Sequence, residues 1–315
     1  MERLVDAFGR TLTDLRVSLT DRCNFRCVYC HNEGLGEVRG PRAASNDEMS
    51  ADEVVRIVRV AHTLGVERVK FTGGEPLLRS DLETILRGLP SAVEASLTTN
   101  GSLLAGRAAG LKAAGLSRVN VSVDSLDAAH FRAVRRGDLR AVLAGVEAAL
   151  AEGLAPVKVN MVVLDDTVDE LPDLLAWVAS REGLELQLIE VMPEIRTDML
   201  PRRADVEAVR AALVARADRV EVREMHHRRV YHVGRARVEL VDPVGNAEFC
   251  ANCHRVRVTH RGELKGCLNV LSGYVPTRGL DDEGVRAAFQ RVVAERRPFY
   301  MAAPDAKPPR EKVTA

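Results

Sequence analysis

"TDRCNFRCVYCHNEG" (residues 20–34) sets Cys23, Cys27 and Cys30 in a C-x3-C-x2-C pattern, directly after an apolar strand pattern, "DLRVSL" (14–19). Three thiolates on one loop can hold three irons of a [4Fe–4S] cube and leave the fourth iron open to another ligand. A cluster that only carries electrons takes four protein ligands. Zinc is the alternative, but a structural zinc site wants a fourth thiol or a histidine. His31 is of the right type, yet its adjacency to Cys30 makes chelation of the same ion awkward.

The same stretch opens the rhythm that decides the fold. Strand patterns recur at 14–19, 68–72, 94–99, 118–123, 157–163 and 184–191, with amphipathic stretches between them. Over 51–64, Val54, Val55, Ile57, Val58, Ala61 and Leu64 form a helical stripe. Ser50 with Glu53, and Ser80 with Glu83, read as capping boxes. Further helices are expected near 102–114, 139–152, 168–181 and 203–216. About six β-α units predict an α/β fold with a parallel sheet, in the form of a partial (β/α)6 TIM-type barrel. Ligands in such folds gather at the C-terminal ends of the strands. After about residue 218 short strands such as "RVYHV" and "RVEL" follow one another. Residues 1–218 are therefore expected as the barrel and 219–300 as a smaller α+β extension, with a helix near 281–296. The Pro-rich stretch 301–315 is expected as a mobile tail.

The 315 residues carry 46 % apolar and 29 % charged side chains, with 45 Lys plus Arg against 45 Asp plus Glu. Such a balance does not suggest a nucleic-acid partner, so any anion site must be a local cluster. No apolar run approaches ~18 residues and "MERLVDAFGR" has no hydrophobic core of a signal peptide, so neither a membrane span nor export is expected. In a cytoplasmic protein the six cysteines are reduced thiols, available to metals.

"FTGGEPLLR" (71–79) lies where the second strand ends. Its glycines let backbone approach a ligand closely, and Glu75 could accept hydrogen bonds from an ammonium. Together with the cysteine spacing and Tyr29 before the last cysteine, it resembles the radical S-adenosylmethionine (SAM) superfamily. That resemblance implies that SAM chelates the open iron and is cleaved reductively to a 5′-deoxyadenosyl radical. A second stretch, "FCANCHRVRVTHRGELKGC" (249–267), holds Cys250, Cys253 and Cys267 as C-x2-C-x13-C. Again three thiols have no obvious fourth; His254 and His260 keep a zinc ribbon open as the alternative. A second cube with an open iron fits the count better, because that iron could bind substrate.

Over nearly its whole length the chain resembles the GTP 3′,8-cyclases of molybdenum cofactor biosynthesis. The likeness rests on "FGRTLTDLRVSLTDRCNFRCVYC", "KFTGGEPLLR", "LTTNG", "NVSVDSLD", "VKVNMVV", "IEVMP" and "FCANCHRVRVT" followed by "LKGCL". It implies two [4Fe–4S] clusters, SAM on the first and guanine on the second. It also implies hydrogen removal from ribose C3′ and closure onto guanine C8. By resemblance Tyr29, Gly73, Gly74, Glu75, Ser122 and Met192 stand on the SAM side. Arg16, Lys70, Thr98, Lys158, Arg255, Val256 and Arg257 stand on the GTP side. It further implies an electron donor and hand-off of the product to cyclic pyranopterin monophosphate synthase; the oligomeric state stays open, a homodimer included.

Two departures mark this chain: Gln187 stands where many relatives have arginine, and the ending Thr314-Ala315 replaces a Gly-Gly tail. His254, where asparagine is frequent, is a milder change. Other two-cluster radical SAM enzymes, peptide-modifying or of the haem pathway, commonly carry more C-terminal cysteines, whereas this chain has six cysteines in total. A non-catalytic iron–sulfur or zinc module leaves the TGGE stretch and the basic positions unexplained.

Overall fold

Six parallel strands form the centre of the sheet: β1 (Asp14–Ser18), β2 (Arg68–Thr72), β3 (Glu94–Thr99), β4 (Leu116–Ser122), β5 (Val157–Val163) and β6 (Leu184–Glu190). The structure is a computed structural model and describes residues 3–43, 47–192, 203–270 and 272–299. The expected tail, 301–315, lies outside the described residues. Each strand alternates. Leu15, Val17, Val69, Phe71, Leu97, Val119, Val121, Val159 and Met161 are buried beneath the helices. Asp14, Arg16, Arg68, Lys70, Arg118 and Asn120 point to the other face. The sheet is thus apolar outward and polar inward, the pattern of a barrel that encloses a site instead of a packed core.

Around it lie α1 (Ala51–Thr63), α2 (Leu82–Arg87), α3 (Ala108–Ala113), α4 (Ala128–Arg135), α5 (Leu139–Ala151), α6 (Leu171–Ala179) and α7 (Val206–Arg216). In α1 the expected capping box forms: Glu53 N donates to Ser50 Oγ at 3.2 Å and Ser50 N to Glu53 Oε2 at 2.7 Å. The second expected box does not form. Helix α2 starts one residue later, on Asp81, and has no side-chain cap. Arg79 takes the Asp81 carboxylate in two bonds of 2.8 and 2.7 Å, and Arg107 takes Glu83. The helix expected at 102–114 is shortened to α3. Residues 99–102 turn instead, because Thr99 Oγ1 and Asn100 Oδ1 accept from the next backbone amides, Gly101 N and Ser102 N. Helix α4 was not foreseen; Asp127 caps it by accepting from His130 N at 2.7 Å.

The stretch from 219, expected as an extension, adds strands to both edges of the same sheet. On one edge β9 (Ala236–Val241) lies parallel to β6, followed by antiparallel β8 (Arg229–Val233) and β7 (Arg219–Val222). On the other, β10 (Arg255–Val258) lies parallel to β1, followed by antiparallel β11 (Glu263–Lys265) and β12 (Val275–Pro276). Seven consecutive parallel pairings therefore join eight strands in the order β10-β1-β2-β3-β4-β5-β6-β9. Helices α8 (Ala247–Ala251) and α9 (Asp282–Glu295) complete the described elements, and α9 packs on α1. No helix among the described residues is long and apolar enough to cross a membrane.

Candidate active site

The polar inner face encloses a cavity of about 720 Å3. Among the described residues, thirteen Lys or Arg and six Asp or Glu line it, although the whole chain is charge-balanced. All six cysteines line it too, and none of them is in a disulfide. Cys23, Cys27 and Cys30 follow the C-terminal end of β1. Cys250 and Cys253 precede β10, whose Arg255 pairs in register with Asp14 at the start of β1. The β10–β11 hairpin returns Cys267 to that end. The trios therefore sit at opposite ends of the strands. The expectation that ligands gather at the C-terminal ends holds for the first trio and fails for the second, because β10 enters the sheet parallel to β1 directly after its cysteines.

The first loop is clamped by the turn after β2. Gly74 N donates to Thr20 O and Glu75 N to Arg22 O, both at 2.7 Å. A Cβ on Gly73 would lie 2.4 Å from Thr20 O, and one on Gly74 2.2 Å from Arg22 O. Glycine is required because two backbones touch here. Glu75 is fully buried, and its carboxylate accepts from Thr99 Oγ1 at 2.7 Å, Asn100 N at 2.7 Å and Leu77 N at 3.0 Å. It holds the turn, with its side chain behind the cavity wall. Burial raises the Cys23 thiol to about 11 and the Cys27 thiol to about 12, so both keep their protons until a metal displaces them.

Tyr29 donates from its hydroxyl to Asp124 Oδ2 at 2.5 Å, and Arg135 Nη1 donates both to that hydroxyl and, at 2.9 Å, to Asp124. Arg135 is 4 % exposed, and its guanidinium carbon lies 6.0, 5.9 and 5.9 Å from the ring centres of Phe25, Tyr29 and Phe131. This cage fixes the aromatic ring beside Cys30. Gly73, Gly74, Ser122 and Met192 also line this end.

Between the trios the register brings the expected cations together: Arg16 stands between Arg257 on β10 and Lys70 on β2. Lys70 Nζ donates to Asn120 Oδ1 at 2.8 Å. Burial, then Arg16, Arg118, Arg255 and Lys158, hold its pKa well below the usual lysine range. Glu33 sits among these cations, paired with Arg257 and 3.8 Å from Arg16 Nη1. Burial opposes its charge, but the two guanidiniums outweigh this and lower its pKa to about 2. Lys158 is tied to Glu239 at 2.5 Å and Glu185 at 3.3 Å. Gln187, the departure noted above, donates to Glu239 Oε2 at 3.1 Å. The Thr98 hydroxyl and Arg16 Nε are buried without hydrogen-bond partners, as polar atoms aimed at an absent ligand would be. Val256 differs from the expectation: alternation turns its side chain into the core, fully buried and off the cavity wall, while Arg255 and Arg257 face inward.

The second trio is pinned from behind. Arg296, 3 % exposed, donates to Cys253 O at 3.0 Å and Arg255 O at 2.8 Å, and Arg10 donates to Cys250 O at 3.0 Å. The histidines that would complete a zinc ribbon are turned elsewhere. His254 Nδ1 lies 2.8 Å from Thr11 O, and His260 packs between Asp21 and Asp47. Three thiolates on one zinc would lie about 3.8 Å apart, from Zn–S bonds of about 2.3 Å. Among the described residues no three cysteine sulfurs come within 4.8 Å of one another. Three thiols without a fourth ligand fit a cube with one open iron. Asp21, Asp47 and His260 do lie close enough for a single cation, but Arg39 and Arg261 already neutralise both carboxylates.

The radical SAM superfamily profile matches residues 17–178, and that of the molybdenum cofactor synthesis C-terminal region matches 184–301. A probable GTP 3′,8-cyclase of Halobacterium salinarum is 51 % identical, covering 94 % of this chain and 90 % of its own. Another, of Methanocella arvoryzae, is 44 % identical, covering 95 % of each. The chain belongs to the GTP 3′,8-cyclase family. The crystal structure of Streptococcus suis SuiB bound to its precursor peptide SuiA superposes with a TM-score of 0.68 at 13 % identity, over 96 % of this chain and 76 % of that one. That likeness concerns the fold alone.

Sequence reasoning did not single out Glu33, Asp124, Arg135 or Glu239. Each is a charge that only its partners make part of the site. Only Glu239 had a local signal, its place in the alternating strand pattern "RVEL" (237–240).

Proposed function

We propose that the chain is a GTP 3′,8-cyclase, a radical SAM lyase. It converts GTP to (8S)-3′,8-cyclo-7,8-dihydroguanosine 5′-triphosphate, the first step of molybdenum cofactor biosynthesis. The observation that carries this reading is the pair of cysteine trios at the two ends of one cation-lined cavity. Cys23, Cys27 and Cys30 hold a [4Fe–4S] cluster with an iron open to SAM, beside Tyr29, Gly73, Gly74, Ser122 and Met192. Cys250, Cys253 and Cys267 would hold a second cluster, at the end of the cavity where the guanine would sit. Bound there, the first cluster with SAM would supply one-electron radical chemistry directed at ribose C3′.

The chain's own residues do the positioning. Arg16, Lys70, Lys158, Arg255 and Arg257, with Thr98, hold the triphosphate and ribose between the trios. A charge-assisted contact of this kind is typically worth ~1.5–3 kcal/mol. Anchoring both ends of the nucleotide leaves the ribose one orientation, which favours the intended hydrogen over competing sites. Residues 1–218 supply the six central strands of the barrel, and the stretch from 219 extends it at both edges and brings the second trio. The enzyme works in the cytoplasm with an electron donor, as a monomer or homodimer, and hands its product to cyclic pyranopterin monophosphate synthase.

The test is anaerobic reaction of reconstituted protein with GTP, SAM and dithionite, with the product trapped by that synthase. Formation of the cyclised nucleotide is expected. Protein that is fully loaded with iron and cleaves SAM but yields no cyclised nucleotide would sink the reading.

A further inference from the structure

His226 has no part in the roles above. It lies in the connection between β7 and β8, lines the cavity, and is 5 % exposed. Its ring lies flat on Phe249, with centres 3.8 Å apart and planes within 10°. Phe249 directly precedes Cys250, so the stack forms the wall beside the second trio. The ring nitrogen Nδ1 is buried and has no hydrogen-bond partner.

The backbone holds this ring at a cost. His226 and the next residue, His227, both have left-handed φ values, 64° and 47°. Few non-glycine residues adopt that conformation, and two in succession persist only where the surroundings impose them. The amide of His226 donates to Asn252 O at 2.8 Å, between Cys250 and Cys253, so the ring and the trio share one support. Burial first, then Arg255, Arg228 and Arg257, push the imidazole pKa well below its ordinary value. A neutral ring among so many guanidiniums is not another phosphate anchor. It offers what they lack, one donor and one acceptor in a fixed plane.

We propose that His226 is a base-reading residue. It hydrogen-bonds the edge of a purine seated against the second cysteine trio, while Phe249 fixes the plane of its ring. This rests on the nucleotide reading above and names the part of the nucleotide the residue reads. The side chains facing it then divide the labour: guanidiniums take the phosphates, and the neutral imidazole takes the base.

The experiment titrates GTP and inorganic tripolyphosphate into anaerobically reconstituted protein by calorimetry, in the wild type, His226→Ala and His226→Gln, with iron measured alongside. His226→Ala is expected to weaken GTP roughly five- to thirtyfold, the size of one lost buried hydrogen bond. Tripolyphosphate binding stays unchanged. His226→Gln, which keeps a donor and an acceptor, recovers part of the loss. Equal weakening of both ligands, or of neither, overturns the proposal. Loss of iron in both variants also overturns it, since the ring would then serve to support the trio. Wild-type protein that binds GTP no better than tripolyphosphate would instead overturn the nucleotide reading, whatever the variants do.

Discussion

Replacing Glu33 by glutamine should weaken the empty protein and leave the ligand-bound protein nearly unharmed. Glu33 sits at a left-handed φ of 55°, paired with Arg257 and Arg16, and accepts from Thr72 Oγ1 at 3.4 Å. Its fall from an ordinary 4.5 to about 2 corresponds to about 3 kcal/mol in favour of the ionised form. Glu33→Gln keeps the shape and removes that term, so Arg16, Arg257 and Arg255 repel one another unrelieved. The expected loss is up to about 3 kcal/mol at pH 7, within the range for breaking a buried pair. The sign follows from the lowered pKa: the stabilisation is present above about 4.5 and is lost as pH falls towards 2. The gap between wild type and variant should therefore narrow below about pH 5.

A triphosphate restores negative charge to the same guanidiniums. Saturating tripolyphosphate should therefore stabilise the variant more than the wild type and close most of the gap. The assay is urea unfolding of the reconstituted protein with and without tripolyphosphate. A variant as stable as the wild type, or one that the anion stabilises no more than the wild type, would refute the view that Glu33 occupies the charge balance of a phosphate site.

Replacing Cys23, Cys27 and Cys30 together with alanine should remove about half of roughly eight irons and all SAM cleavage. Replacing Cys250, Cys253 and Cys267 should remove the other half and leave some uncoupled cleavage; full iron content in this variant would exclude a second cluster. Because Lys70 is held well below its usual pKa by burial and four cations, a polyphosphate should return a proton to it. GTP binding above that lowered pKa should then take up a proton, and its affinity should fall as pH rises. Calorimetry in buffers of different ionisation enthalpy measures this, and Lys70→Arg should abolish the uptake. Gly74→Ala, with a Cβ 2.2 Å from Arg22 O, should displace the first cysteine loop. It should lower iron at the first trio by chemical analysis while the second trio keeps its own; unchanged iron would show that the two loops can part without cost.

Much of this protein could be read along the chain, because the deciding interactions are local. The C-x3-C-x2-C loop, the β-branched runs and the helical stripe at 51–64 each occupy one short stretch, and period and spacing suffice to identify them. The six central strands fall within two residues of where the pattern puts them. Elements set by competition were not legible in this way. The Ser80–Glu83 box lost to Arg79 and Arg107, which come from a neighbouring turn and a distant one. The length of α3 was decided by side chains that prefer to bond the backbone of a turn.

Tertiary structure alone decided where the two trios stand. The cysteines at 250–267 read as an appended cluster, but β10 pairs with β1, more than two hundred residues away, and that register puts the second trio opposite the first. It also gathered Arg16, Lys70 and Arg257 into one layer and set Glu33 among them, though the sequence spaces these residues far apart. The physical reason is that side-chain chemistry is written locally, whereas charge balance, burial and reach depend on strand pairing between distant segments. Identities told which atoms could bind metal and phosphate; only the pairing of distant strands brought them together around a single cavity.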